Sequence, residues 1–300
     1  MDPRISARLQ HDRIPSTAER RCALAAATTY LRCPVCAGQL HLRSSQLACG
    51  RNHGFDIARH GYVNLTTGGP GPGTADTTAM ITARDQFLSC GHYQPLMAAL
   101  QALAVRHDPG MPGLVADLAG GTGYYLAGIL DFLPHRYGAC LDLSVPALRR
   151  AARAHPRAAA LGADIWQPLP LADRSAALVL NIFGPRNAAE TSRILTRGGT
   201  LIMVVPGTGH LRELRRRLGM IGIDQRKPQR LAATYRDYEQ SGVTSVNYRL
   251  SLGHADLTAL VSMGPSARHT TPRELTARIS ALPSPITVTV DLQIRAFQHR

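Results

Sequence analysis

The chain has 300 residues, of which 44% are apolar, and carries a formal net charge of +14 with a pI of about 10.3. That is enough apolar material for one large domain and a small one, while no apolar run approaches the roughly 20 residues of a membrane span. The positive charge is arginine apart from Lys227, which favours polyanionic partners; a GC-rich genome would leave the same bias, so charge alone does not identify nucleic acid.

The first apolar stretch, "RRCALAAATTYL", is short, broken by threonines and runs straight into Cys33, so it does not read as a signal peptide. Residues 1–28 are expected to be a loosely structured extension. Residues 29–66 then concentrate the chemistry: Cys33, Cys36, Cys49 and His53 follow the pattern C-x2-C, twelve residues, C-x3-H. Two pairs of soft donors on tight turns, joined by a hairpin, supply four tetrahedral zinc ligands. The hairpin is legible in "QLHLRSSQLAC", where Leu40 and Leu42 alternate, Ser44 and Ser45 turn, and Leu47 returns. Four protein ligands close the site, so one zinc per chain is expected to be structural. Cys22 and His41 are expected to stay out of it. Six cysteines used this way suit a cytoplasmic metalloprotein better than a secreted disulfide scaffold.

"GGPGPGT" at 68–74 reads as a linker or mobile loop. It opens a helical linker over 67–110, with apolar positions Met80, Ala83, Phe87 and Leu88 at helical spacing and a second helix over "QPLMAALQALAV". Residues 111–300 form the larger domain. "GLVADL", "YGACLDL", "AALGAD", "AALVLNIF" and "TLIMVV" are short apolar runs separated by helical stretches, the signature of an α/β fold with a mostly parallel sheet. "TSVNYRLSL" and "PITVTVDLQIRAF" alternate as antiparallel strands around a helical "HADLTALVSM".

"LVADLAGGTGYYLAGIL" runs strand, glycine loop, helix. A P-loop would need Gly-Lys-Ser/Thr, and a dinucleotide fingerprint would need glycine where Leu126 stands. The D-x-x-x-G-x-G loop of S-adenosylmethionine enzymes remains, with Asp117 ending the strand and Gly121 and Gly123 letting the backbone approach the amino-acid part of the cofactor. Asp142 at the second strand end would bind ribose hydroxyls, and Asp164 at the third would meet the adenine amino group. The expected fold is therefore a Rossmann-like S-adenosylmethionine-dependent methyltransferase with a mostly parallel seven-stranded sheet and a small N-terminal zinc-binding domain. A nucleotide-free or NAD-type fold is the competing reading of the same loop.

Taken together, "CPVC…CGRNHGFDIARHGYVNL", "MITARDQFLSCGHYQPL", "DLAGGTGYY", "NIFGPRNAAETSRIL" and "PGTGHLREL" resemble the RlmA-type 23S rRNA (guanine-N-1)-methyltransferases over about residues 31–215, and more loosely to the C-terminus. The chain most resembles the actinomycete tylosin- and mycinamicin-resistance branch, which implies methylation of nucleotide 748 in hairpin 35 of 23S rRNA and macrolide resistance. The enterobacterial type implies nucleotide 745 instead. The resemblance carries the family's zinc ligands onto the same three cysteines and histidine, and its cofactor contacts onto Tyr93, Gly121, Thr122 and His210; it is compatible with a homodimer. Two departures stand out. Ala119 replaces the first loop glycine and is expected to need a negative φ, and "SMGPSARH" at 262–269 carries no aromatic residue where many members do.

The implied reaction moves a methyl group to N-1 of an extruded guanine. "NIFGPRN" is expected to face that methyl, with Asn181 orienting the base and Arg186 stabilising charge on O-6 or touching phosphate. No general base is legible. Arg32, Arg43, Arg51, Arg59 and His60 are candidate phosphate contacts on the zinc lobe, and "LRELRRRLG" at 211–219 is either another or a solvated helix face. Two other functions fit parts of the pattern: a small-molecule methyltransferase with a zinc-stapled lid, and a non-catalytic zinc protein that binds nucleic acid.

Overall fold

The computed structural model describes residues 13–68, 75–220, 234–235, 238–264 and 270–299. Most of the glycine-rich 68–74 segment, Lys227 and the stretch 265–269 lie outside the described residues.

The N-terminal lobe begins with helix α1 (Thr17–Thr28), followed by β1 (Leu40–Leu42), β2 (Gln46–Cys49), β3 (Gly54–Asp56) and β4 (Val63–Asn64). Strands β1, β2 and β3 form an antiparallel sheet. Helices α2 (Thr78–Ser89) and α3 (Gln94–His107) lead into the alternation β5 (Leu114–Leu118), α4 (Tyr124–Phe132), β6 (Gly138–Asp142), α5 (Val145–Ala151), β7 (Ala158–Gly162), β8 (Ala176–Ile182), α6 (Ala188–Ile194), β9 (Leu195–Pro206) and α7 (Arg212–Leu218). The chain closes with β10 (Tyr238–Leu252), α8 (His254–Ser262), α9 (Pro272–Ser280) and β11 (Ile286–His299).

The main sheet runs β10-β11-β9-β8-β5-β6-β7-β4. Strands β7, β6, β5, β8 and β9 are parallel, while β11 and β10 join antiparallel. These are the expected seven strands of a Rossmann-like methyltransferase fold, and the two-residue β4 adds an eighth by pairing parallel to β7. Because β5 to β9 point the same way, the loops after Leu118, Asp142, Gly162, Ile182 and Pro206 emerge along one sheet edge, where α/β proteins bind ligands.

Side chains alternate between the two faces. Val115, Leu178, Leu180, Ile202 and Val204 face α2, α3, α4 and α8, whereas Ala116, Leu118, Val179, Leu201 and Met203 face α1, α6 and the zinc lobe. Helices α2 and α3 thus do more than link: Phe87, Leu96 and Leu100 are fully buried in the large core. The expectation of a loose extension over 1–28 is overturned for residues 17–28. Ser16 and Glu19 close a capping box there, worth about 1 kcal/mol, and Ala23, Leu24 and Ala27 are buried. The reason lies in the connection from β7 to β8, which contains no helix. Helix α1, Leu31, Leu169 and Leu171 cover that part of the sheet instead. No helix among the described residues is long and apolar enough to cross a membrane.

Candidate functional site

Two turns bring the predicted metal ligands together. In the first, Ala37 N–H donates to Cys33 O at 2.8 Å; in the second, Asn52 N–H donates to Cys49 O at 3.0 Å. Each turn has a left-handed residue, Ala37 (φ +57°) or Asn52 (φ +63°). Hairpin β1–β2 then pairs Leu40 with Cys49 and closes the distance. Cys33 Sγ lies 3.6 Å from His53 Nδ1, Cys49 Sγ lies 3.4 Å from the same nitrogen, and Cys36 and Cys49 Sγ are 3.6 Å apart. Zinc with bonds of about 2.3 Å to sulfur and about 2.0 Å to nitrogen would space tetrahedral ligands by about 3.5–3.8 Å, so donor set and geometry fit the ion. Burial pushes the Cys49 thiol up, but the N–H groups of His53 and Arg51 outweigh it and pull it down to about 6, favouring thiolate. Cys22 and His41 stand outside the cluster, as expected.

At the sheet edge, residues 119–123 form a tight loop between β5 and α4, closed by Gly123 N–H donating to Gly120 O at 3.0 Å. Its glycines have different reasons. A Cβ on Gly120 would meet Cys140 Sγ at 2.6 Å and Asp117 Oδ2 at 2.7 Å. One on Gly123 would crowd Ala151 and Ala154 of the neighbouring helix segment at 3.1 Å, and its φ of +77° is left-handed, so both packing and backbone favour glycine there. One on Gly121 would stand 3.0 Å from Arg84 Nη1. The expectation that Ala119 needs a negative φ is overturned, because its φ is +57°. The left-handed turn costs alanine about 1 kcal/mol, which the surrounding loop bonds hold in place. Its methyl packs opposite Gly184, where a Cβ would lie 3.1 Å away.

Asp117 is 1% exposed and lies beneath this loop, with Oδ2 lacking a hydrogen-bond partner among the described residues. Burial and the nearby Asp142 charge raise it to about 7. Asp142 ends β6, as expected, and accepts N–H groups from Gly121 and Ser144, both at 2.8 Å. Burial raises its pKa, while those N–H groups oppose the rise. Asp164 sits two residues past the end of β7 rather than at it, half-buried, capping the N–H of Trp166 at 2.9 Å. Thr122 is buried.

The remaining predicted residues converge on the same edge. Tyr93 precedes α3, is 2% exposed, and has its ring 6.4 Å from Phe183. Phe183 is 43% exposed and left-handed, with φ +59°. Asn181 donates to Pro185 O at 2.7 Å, leaving its buried Oδ1 without a hydrogen-bond partner among the described residues. His210 Nδ1 accepts the Asp291 N–H at 3.3 Å, so the proton of the neutral ring sits on Nε2. Burial lowers this ring to about 4, which keeps it neutral near pH 7. Buried acids under a glycine cradle, a strand-end acid and a donor imidazole fit a ligand carrying ribose hydroxyls and positive charge, as S-adenosylmethionine does.

Comparison with known proteins decides the family. A family model described as "RlmA, N-terminal" matches residues 31–66. The chain is 45% identical to the 23S rRNA (guanine(748)-N(1))-methyltransferase of Streptomyces fradiae, over 88% of this chain and 94% of that one. It is equally identical, at 45%, to a Micromonospora griseorubida protein assigned as a 23S rRNA (guanine-N(1)-)-methyltransferase, over 90% and 97% of the two chains. The chain belongs to the 23S rRNA (guanine-N1)-methyltransferase family. Among solved structures, the YcgJ protein of Bacillus subtilis is similar over 68% of this chain and 98% of its own, with 12% identity and a TM-score of 0.49.

Features of this family member that the sequence did not disclose lie around the loop. Arg84 of α2 is one of them: its Nη1 stands against Gly121, 3.0 Å from where a Cβ there would lie. Phe183 gave no sign of its strained backbone. A trio of Cys90, His92 and Asp256 also converges, with His92 Nε2 3.3 Å from Asp256 Oδ1, between α8 and the turn that carries Tyr93.

Proposed function

We propose that this chain methylates N-1 of guanine 748 in hairpin 35 of 23S rRNA, and thereby contributes to macrolide resistance. The observation that carries this reading is the 45% identity, over nearly the whole of both chains, to the Streptomyces fradiae enzyme named for that nucleotide. S-adenosylmethionine supplies an electrophilic methyl group on its sulfonium when bound. In this reading the Gly121–Thr122 backbone, Asp142, Asp164, Tyr93 and His210 hold the cofactor, Asp117 offsets its positive charge from below, and Gly123 keeps the loop close to α5.

The extruded guanine enters above the turn Asn181–Arg186. Phe183 offers an exposed ring on which a base can stack, and Asn181 Oδ1 offers an acceptor to its edge. Arg186, half-buried with its pKa lowered by burial, stabilises charge that develops on O-6 as the N-1 proton leaves. His210 does not take that proton: its Nδ1 lone pair is engaged, and about 4 is too low for an efficient base at neutral pH. Asn181 has no basic atom. With neither residue able to take it, the N-1 proton passes to water as the methyl–N-1 bond forms and the methyl–sulfur bond breaks, and orientation of methyl and acceptor supplies much of the rate.

RNA would lie across the seam between the lobes. His60 lies near Arg59, Arg149, Arg153 and Arg20, which after burial are the causes that lower its pKa. Arg32, Arg43, Arg51 and Arg59 are exposed on the zinc lobe, and Arg212, Arg215 and Arg217 line an open groove beyond the cleft. Hairpin affinity should fall steeply with salt, with a log–log slope near −0.7 per phosphate contact for single strands.

Primer extension on 23S rRNA from cells with and without the gene tests the assignment, because methylated N-1 cannot pair. The expected result is a gene-dependent stop at nucleotide 748. A stop at 745 would reassign the nucleotide, and no stop in hairpin 35 would overturn the substrate.

A further inference from the structure

S-adenosylmethionine carries two positive groups, the sulfonium and the α-ammonium, and one negative group, its carboxylate. Of the acids around the loop, Asp117 answers the positive charge and Asp142 the ribose, but both repel the carboxylate. A carboxylate drawn out of water into such a site needs a cation or several N–H donors. Of the loop's three glycines, Gly120 faces Cys140 and Asp117, Gly123 faces Ala151 and Ala154, and only Gly121 has a cation as its nearest neighbour.

That cation is Arg84, one-quarter exposed, on the face of α2 turned toward the loop. Its Nη1 lies 2.6 Å from Asp76 Oδ2, and its Nη2 donates to Met263 O at 3.0 Å. The Asp76 carbonyl in turn accepts from Ser144 Oγ at 2.8 Å, so the guanidinium is fixed from α2, from the C-terminal end of α8 and from the turn after Asp142. Those two bonds use two of the five N–H donors a guanidinium carries. The planar group is thus held beside the inner surface of Gly121 with further donors to offer, the pre-organisation that favours arginine over lysine at a carboxylate.

We infer that Arg84 is the carboxylate-binding residue for the amino-acid end of the cofactor, and that Gly121, whose left-handed φ of +58° already favours glycine, also leaves room for the guanidinium and the ligand to meet across it. The inference rests on the methyltransferase reading and adds to it a residue outside the glycine loop. Asp76 holds the guanidinium before the cofactor arrives and shares it afterwards.

A structural role is the competing explanation, since Arg84 also ties α2 to α8. Calorimetric titration of the full chain with S-adenosylmethionine and with its decarboxylated form separates the two, since the analogue keeps both positive groups. The wild type should bind the intact cofactor about ten- to a hundred-fold more tightly than the analogue, the range of a charge-assisted bond. Arg84→Met should bind both alike, within about two-fold, by losing affinity for the intact cofactor only. Arg84→Lys should restore part of the preference, and covers the case in which Arg84→Met does not fold. With RNA as acceptor, KM for the cofactor should rise while kcat holds. Equal weakening of both ligands in the variants, or no preference in the wild type, overturns the assignment of Arg84. A wild type that binds neither ligand overturns the methyltransferase reading itself, so the two failures are distinguishable.

Discussion

Residues 31–66 bury Leu31, Leu40, Leu47 and Leu65 beside four metal-ligating side chains, whereas strands β5 to β9 are buried on both faces, by α2, α3, α4 and α8 on one side and by α1 and α6 on the other. One region is held chiefly by a few directed bonds to an ion, the other by many non-directional contacts. Bonds to an ion fail together when the ion leaves, while packing fails in proportion to the volume removed. The two meet at the pairing of β4 with β7, at the bridge from Leu31 to Leu171, and in a shared apolar cluster that joins Leu31, Leu40 and Leu47 to Leu114, Leu161 and Leu171.

Removing zinc breaks the comparison most directly. Chelation, or Cys36→Ser, should withdraw on the order of 10 kcal/mol from the lobe. Hydrogen exchange should then show amide protection lost over 31–66 and kept over Leu114–Leu118, with cofactor binding retained and RNA methylation lost. Equal loss of protection in the sheet would mean that the regions fold as one unit.

Next in size is a charge inside the packed region. Asp117 titrates near 7 when folded, well above an exposed aspartate, because burial and Asp142 disfavour its ionised form. Its contribution to stability is complete below about pH 4 and is lost as pH rises towards 7, an effect on the order of 4 kcal/mol for a shift of this size. Asp117→Asn should flatten the ligand-free stability profile between those limits, read by denaturant titration at several pH values. Cofactor binding should release protons near pH 7, because a cationic ligand favours the ionised carboxylate. Calorimetry in buffers of different ionisation enthalpy would show this, and the signal should vanish in the variant.

These two regions also differed in how much of them could be read from residues alone. Ligand spacing is a local property, so Cys33, Cys36, Cys49 and His53 were legible within 21 residues of chain. The strands of the parallel sheet were legible because they are buried on both faces and read as apolar runs. Helix α1 was not, because its buried face is Ala23, Leu24 and Ala27, too small to stand out from an alanine-rich stretch. Arg84 was not, because its position is set by Met263, 179 residues along the chain. Nor could Ala119 be read, since its left-handed turn is imposed by partners on β6 and in the turn after β8.

Steric substitution in the loop should have a smaller effect than either change above. Gly120→Ala places a methyl 2.6 Å from Cys140 Sγ and 2.7 Å from Asp117 Oδ2, both buried. Overpacking of that kind costs about 1–3 kcal/mol, and it should lower the melting temperature of the whole sheet domain while zinc content stays at one per chain. A normal melting temperature with lost cofactor binding would instead show that the loop yields without disturbing the core beneath it.

The smallest effects come from one substitution made on both sides. Ala37 in the zinc lobe and Ala119 in the glycine loop share a φ of +57°, so each stores about 1 kcal/mol of left-handed strain that glycine would release. Glycine also gives the unfolded chain more freedom, which takes back about 0.4–1 kcal/mol. The net gain is therefore below about 1 kcal/mol at either position. Its readout should differ by region. Ala119→Gly should raise the unfolding midpoint of the sheet by a few degrees at most, since that turn is packed against Gly184. Ala37→Gly should leave that midpoint unchanged and tighten zinc binding by less than about five-fold, because folding of the lobe and capture of the ion are one equilibrium. If Ala37→Gly moves the sheet's midpoint as much as Ala119→Gly does, strain passes freely through the β4–β7 pairing, and the two regions share one cooperative unit.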